Sequence, residues 1–117
     1  MQTQERKIGR NRGKPRLWIE GDLLIEAGLP HRAQWVLIPH IDGLDIVRVQ
    51  TEESKLDGRR VRKIAGTGAR PIVDIAGSSL APLATFGTPW DSVALHYEYG
   101  SGVIAVRFNE NRNTHAK

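Results

Sequence analysis

Arg16-Leu-Trp-Ile-Glu-Gly-Asp-Leu-Leu-Ile-Glu-Ala-Gly28 decides the fold, because it reads as a strand that breaks into a short helix. Arg16 to Glu20 alternates apolar and polar residues between Pro15 and Gly21, the pattern of a strand buried on one face. Asp22 to Gly28 then reads as a two-turn helix, with Asp22 as N-cap, Gly28 at the C′ position and Pro30 beyond it. Downstream, Gln34-Trp-Val-Leu-Ile38 is β-prone, Ile41-Asp42-Gly43 carries a turn signal and Leu44 to Val49 supplies the return. Residues 16–49 are therefore expected as strand, helix and hairpin.

The same order returns after residue 70. Pro71 to Ile75 reads as a strand, and Ser79 to Phe86 as a helix capped by Ser79 and stopped by Gly87. Ser92 to Tyr97 and Val103 to Phe108 read as a hairpin around Gly100-Ser-Gly102. Aligned by type, Arg16-Leu-Trp-Ile-Glu20 lies over Arg70-Pro-Ile-Val-Asp74, and Gly43 to Val49 over Gly102 to Phe108. Leu29-Pro30 lies over Thr88-Pro89. A unit of roughly 35 residues is too small to bury its own core, so two such halves must pack on each other. The expectation is a mainly β (α+β) chain with two short helices. Its parts are a flexible basic arm (1–15), a first half (16–49), a basic connector (50–69), a second half (70–109) and a disordered tail (110–117).

Composition narrows the function. With 39% hydrophobic and 26% charged residues the chain suits an ordinary globular protein. It has no cysteine, which removes disulfides, zinc ribbons and thiol nucleophiles and is compatible with a reducing cytoplasm. No apolar run has the length of a membrane span, so a cytosolic protein without membrane contact is expected. The net charge of +4 is unevenly placed. Arg6, Lys7, Arg10, Arg12, Lys14 and Arg16 stand against Glu5 alone, and Lys55, Arg59, Arg60, Arg62, Lys63 and Arg70 against Asp57 alone, while the rest of the chain is acidic. A body of one sign with two segments of the other is the footprint of a polyanion binder, since Lys and Arg on phosphates release counterions.

The candidate contacts are thus Arg10, Arg12, Lys14, Arg59, Arg60, Arg62, Lys63 and Arg70. Asp57 to Ile64 is read as one strand, Arg60 and Arg62 on one face and Arg59 and Lys63 on the other. Ala65-Gly-Thr-Gly-Ala69 lacks the Lys-Ser/Thr of a phosphate loop and is read as a flexible joint. Trp18, Trp35 and Trp90 are expected in the core or between the halves, with base stacking as the alternative. His31, His40, His96 and His115 have no metal-ligand spacing, and Ser78-Ser79 no nucleophile elbow. A pairing of His96 with Asp74 or Glu98 is the one acid–base arrangement the sequence suggests. No catalytic residues, cofactor or metal are expected.

Leu17 to Gly28 followed by a hairpin resembles the swapped-hairpin domain of the AbrB superfamily, nearest its SymE-like branch, where a strand ends in glycine and a short helix in Ala-Gly. Pro71 to Val106 looks like a divergent second copy. The resemblance implies two interleaved hairpins in a small barrel, as a monomer with pseudo-twofold symmetry or a homodimer. It also implies a DNA-binding regulator or antitoxin, or an RNA-directed toxin of the SymE kind. Here Pro30-His-Arg-Ala33 replaces the family's Pro-Gly, and the first helix is acidic (Asp22, Glu26), which moves the expected contact to the connector. DNA is the expected partner ahead of RNA. A phage or mobile-element module that inhibits a host protein is the alternative from another class.

Overall fold

The structure, a computed structural model, describes residues 1–11, 14–77, 79–80 and 92–108. In chain order it contains β1 (Gln2–Lys7), β2 (Gly9–Asn11), β3 (Lys14–Glu20), α1 (Asp22–Glu26), β4 (Gln34–His40) and β5 (Gly43–Val49). There follow β6 (Lys55–Leu56), β7 (Arg59–Arg60), β8 (Arg62–Lys63), β9 (Ala65–Gly66), β10 (Pro71–Ala76), β11 (Ser92–Tyr97) and β12 (Val103–Phe108). One six-stranded sheet runs β1-β11-β12-β5-β4-β8, one four-stranded sheet runs β2-β3-β10-β9, and β6-β7 form a separate ribbon. All the pairings are antiparallel, and the chain is mainly β.

Strand alternation builds the core. Leu17 and Ile19 of β3, Val73 and Ile75 of β10, Leu44 and Ile46 of β5, Val93 and Leu95 of β11, and Ile104 and Val106 of β12 are all buried. They form one cluster with Leu24, Leu29 and Ile64. The two halves meet along two seams. In one, Ile19 lies opposite Val73 and Trp18 opposite Asp74; in the other, Ile46 lies opposite Ile104 and Asp45 opposite Ala105.

Helix α1 is held by both halves. Its entry is Gly21 at φ 88°, and Asp22, expected as the N-cap, is instead the first helical residue. The strand must turn sharply at residue 21 through a positive φ that glycine permits, and this moves the cap position one residue back. Gly28 takes φ 85° at the exit, where Leu29 N–H donates to Leu24 O at 2.8 Å. The last helical carbonyls have no partner within the helix. Gly100 N–H donates to Glu26 O (2.8 Å), Gly102 N–H to Ala27 O (2.6 Å) and Arg48 Nη1 to Gly28 O (3.1 Å), so the tip of the second hairpin caps the first helix.

Several expectations are corrected. The sheets do not close into a barrel. Among the described residues the six-stranded sheet ends on β1 and β8 and the four-stranded one on β2 and β9, and the chain crosses between them at Ile8 and Ile64. The basic arm is not free: β1 pairs with β11 from Gln2↔Tyr97 to Lys7↔Ser92, and β2 with β3, because β11 otherwise leaves a row of backbone groups unpaired. One helix is described where two are expected. The second, at 79–86, lies largely outside the described residues, as do Gly87, Thr88-Pro89, Trp90 and the 110–117 tail.

Candidate nucleic-acid interface

The connector is not one strand. Asp57 (φ 51°) and Gly58 (φ 77°) turn the chain between β6 and β7, with Lys55 opposite Arg60. Val61 N–H donates to Ser54 O at 2.9 Å, which breaks the run before β8 pairs with β4 at Gln34↔Lys63 and Trp35↔Arg62. The Asp-Gly turn overrides the alternation, so Arg60 and Arg62 do not share an open face. Arg60, Lys63 and Arg70 are exposed, whereas Arg59 and Arg62 are half-buried.

Arg62 is held by the protein itself. Its guanidinium lies over the Trp35 ring at 5.2 Å and donates from Nη2 to Ser79 Oγ at 2.9 Å. Burial lowers its pKa below the ordinary arginine value, with the neighbouring charge of Arg60 adding to the effect. An arginine so placed braces the connector against β4, with Nη2 taken by Ser79 and one face of its plane covered by Trp35. Beside it is an open cleft of about 390 Å³, lined by Trp35, Arg60, Val61, Arg62, Lys63, Ala65, Ile72 and Asp74. Trp35 is buried, and among the described residues its Nε1 has no hydrogen-bond partner.

The Ala65 to Ala69 segment, expected as a flexible joint, is an ordered hairpin turn. Thr67 N–H donates to Arg70 O (3.1 Å), and Arg70 N–H returns to Thr67 O and Oγ1, closing β9 onto β10. Arg70 projects from this turn with only a 3.9 Å approach to Glu20. On the opposite edge of the sheet β2 pairs with β3, with Gly9 opposite Arg16 and Arg10 opposite Pro15. The expected contacts at Arg10, Arg12 and Lys14 fall outside the description, Arg12 wholly and the other two beyond their backbones.

Trp18 is not core: 40% of it is exposed at the middle of the four-stranded sheet, where Arg16 stacks over its ring at 4.7 Å. Arg16 is fixed there by a two-pronged pair with Asp74, both contacts 2.9 Å. The hydrogen bond from Arg16 holds the Asp74 carboxyl below the usual aspartate range, with burial opposing it and the charge of Arg16 adding to it. A depressed carboxylate pKa stabilises the fold above the ordinary value of about 4, and that stability is lost as the pH falls through the folded value. Asp74→Asn is therefore expected to lower the melting temperature at pH 7 and to lower it by less at pH 3. Paired thermal melts at the two pH values check this, and a deficit undiminished in acid would exclude the ion pair as its cause.

Asp74 is thus committed to Arg16, and His96 Nδ1 meets Thr3 Oγ1 at 3.0 Å, so the suggested acid–base pair with Asp74 is not formed. His40 Nε2 meets Asp45 Oδ2 at 2.8 Å, and His115 lies outside the described residues. Among the described residues no group of His, Asp and Glu is placed to hold a metal. No described helix is long and apolar enough to cross a membrane.

One sequence signal went unread. Arg6-Lys7-Ile8 recurs as Arg62-Lys63-Ile64, and the same step carries Pro15 to Pro71 and Gly21 to Gly77. The structure gives both triplets the same place. Lys7 pairs with Ser92 at the start of the second hairpin and Lys63 with Gln34 at the start of the first, both lysines exposed and both isoleucines turned inward. Gly9 lies opposite Arg16 as Ala65 lies opposite Ile72, so Pro15 corresponds to Pro71, two residues away from the alignment by residue type. In the hairpins, burial matches Leu44 and Ile46 to Ile104 and Val106, a shift of one.

The chain matches no protein-family model, no curated protein and no solved structure.

Proposed function

We propose that this chain is a noncatalytic nucleic-acid-binding protein, with DNA as its expected target, built from two divergent copies of one unit in a swapped-hairpin arrangement of the AbrB-like kind. The copies include the basic segments, so the unit begins near residue 2 in the first half and near residue 58 in the second. The registers support this reading: equivalent strands pair with each other in both sheets, and the tip of the second hairpin caps the helix of the first half.

The observation that carries the function is the placement of the bases. The two basic runs are not loose tails but β-structure along the flanks of the molecule, where Lys7, Arg60, Lys63 and Arg70 stand exposed. Cations fixed on a rigid frame lose little entropy when they meet phosphates, and their counterion release makes binding salt-dependent.

A gel-shift series with duplex DNA, single strands and RNA at two salt concentrations tests it. Arg60→Ala/Lys63→Ala/Arg70→Ala is expected to weaken binding roughly 30-fold or more and to flatten the salt dependence by roughly two to three charges. Arg62→Ala is expected to act through stability instead. Binding that is indifferent to salt would exclude the electrostatic mechanism.

A second reading, a module that grips a protein partner, is favoured by the exposed Trp18 with Arg16 stacked on it, residue types that dominate protein interfaces. A pulldown that survives nuclease and high salt, and is lost in Trp18→Ala, would select it.

A further inference from the structure

Resting on the nucleic-acid reading above, we infer that the ligand is a single strand, DNA or RNA, with an unpaired base stacked on Trp18. The adjoining phosphates are held by Arg60 and Lys63. Alternation turns Leu17, Ile19, Val73 and Ile75 into the core, which leaves Arg16, Trp18 and Glu20 of β3 and Ile72, Asp74 and Ala76 of β10 on the outer face of the four-stranded sheet. Of the large apolar side chains exposed among the described residues, Trp18 is the one at the middle of a sheet. Its ring is not loose: Arg16 lies over it at 4.7 Å and is itself fixed by two 2.9 Å contacts to Asp74. An aromatic ring held in one orientation by a cation is a platform for a base, since every base has a π-face and a fixed ring loses little freedom on stacking.

The platform runs into the cleft. Asp74 lies directly opposite Trp18 and Ile72 opposite Ala65, and Asp74, Ile72 and Ala65 all line the cleft that Arg60 and Lys63 border. Trp18 and Ala65 are two strand spacings across and two residues along from each other, roughly 12 Å, so a few nucleotides span ring and cations. The acids of this face, Asp74 and Glu20, are approached by Arg16 and Arg70, while Arg60 and Lys63 stand exposed. Two features favour a strand over a duplex. Bases in a duplex are stacked on their neighbours and offer a protein only their edges, so a ring at the centre of a sheet has no base face to meet. The outer face also lacks the symmetry of the repeat. The step that carries Arg6-Lys7-Ile8 onto Arg62-Lys63-Ile64 carries Leu17 and Ile19 onto Val73 and Ile75, like for like, but Arg16, Trp18 and Glu20 onto Ile72, Asp74 and Ala76. The copies share a core and differ on the open face, which leaves one platform with no twin. A protein partner is the less favoured occupant, because the apolar surface beside Trp18 on this face is Ile72, Ala65 and Ala76, of which only Ile72 is large.

The test uses the full chain with three probes of about twelve nucleotides per strand: oligothymidylate, oligouridylate, and the blunt duplex of oligothymidylate with oligodeoxyadenylate. The better of the two single strands, which also tells DNA from RNA, is expected to bind at least about tenfold more tightly than the duplex. Binding is expected to quench tryptophan emission, and in Trp18→Phe the quench is lost while affinity falls by no more than about threefold. Trp18→Ala is expected to lose about tenfold or more with its salt dependence unchanged, because stacking releases no counterions. Arg60→Gln/Lys63→Gln is expected to weaken binding and to lower the salt slope by about one. Thermal melts confirm that the variants fold. A duplex bound as tightly as the better strand, a quench that persists in Trp18→Phe, or a Trp18→Ala protein that binds like wild type would each overturn the inference while leaving nucleic-acid binding intact. No binding to any of the three probes would overturn the nucleic-acid reading itself.

Discussion

Gly43→Ala is expected to destabilise the protein by at least about 3 kcal/mol, although the residue sits at the start of a hairpin strand and its substitution adds one methyl group. A Cβ at this position would lie 1.9 Å from Val106 O, 2.9 Å from Val106 C and 3.1 Å from Arg107 Cα. All three are backbone atoms, so no side chain can turn aside, and relief requires β5 to move off β12. That movement opens the seam at Gly43↔Arg107 and Leu44↔Val106 and exposes the core beneath it. The backbone itself adds to the cost, because φ at Gly43 is 154°, a value that residues with a side chain rarely adopt. Gly58→Ala is the control: φ is also positive, at 77°, but nothing lies within 4 Å, so only the left-handed penalty of about 1–2 kcal/mol applies. Urea unfolding of both variants decides the matter, and equal losses would show that close approach at Gly43 is not what the glycine serves.

Gly43 also shows what the sequence makes legible and what it hides. Asp42-Gly43 marks a turn correctly in place, but the two-residue loop is Ile41-Asp42, and the glycine is needed for contact with a strand sixty residues away in the chain. Local patterns carry local information: β3, α1 and the two hairpins stand where alternation, glycines and prolines put them. The pairing of β1 with β11 was hidden because the arm is polar, and an edge strand is held by backbone hydrogen bonds that composition does not encode. The connector misled for the opposite reason. Its alternating bases look like one strand, while Asp57-Gly58 and the stacking of Arg62 on Trp35 divide it into a ribbon and a brace.

The candidate site was legible as charge and illegible as geometry. Six bases in each of two segments can be counted from the sequence, yet which of them face solvent depends on tertiary contacts. Arg62 and Lys63 are neighbours, but one is braced under the connector and the other is free to reach a ligand. The recurrence of Arg-Lys-Ile was the available signal that both segments are the same piece of structure. It is missed when the repeat is taken to begin at the first apolar strand, because the bases then count as linker.

Ile46→Ala and Ile104→Ala test whether the halves are one thermodynamic body. Both side chains are fully buried, one from each half, and they face each other across the β5–β12 seam. Each truncation removes three carbons from a packed core and is expected to cost about 3 kcal/mol, within the usual range of 2–5. Against a total stability on the order of 10 kcal/mol that is a large fraction. Because the two cavities adjoin, the double variant should lose less than the sum of the singles, with an interaction of at least about 0.5 kcal/mol. Unfolding by urea should remain one transition in every variant, lowered in midpoint but with tryptophan fluorescence and far-ultraviolet dichroism giving coincident curves. Independent halves would behave differently: Ile46→Ala would shift one of two transitions and leave the other unmoved, and the losses would add. The first outcome is required by the way α1 is built, since the carbonyls at its end are satisfied by Gly100, Gly102 and Arg48, and a half that unfolded alone would leave them unpaired. Residues from the second hairpin thus complete the first helix, and neither half has a complete set of hydrogen bonds without the other.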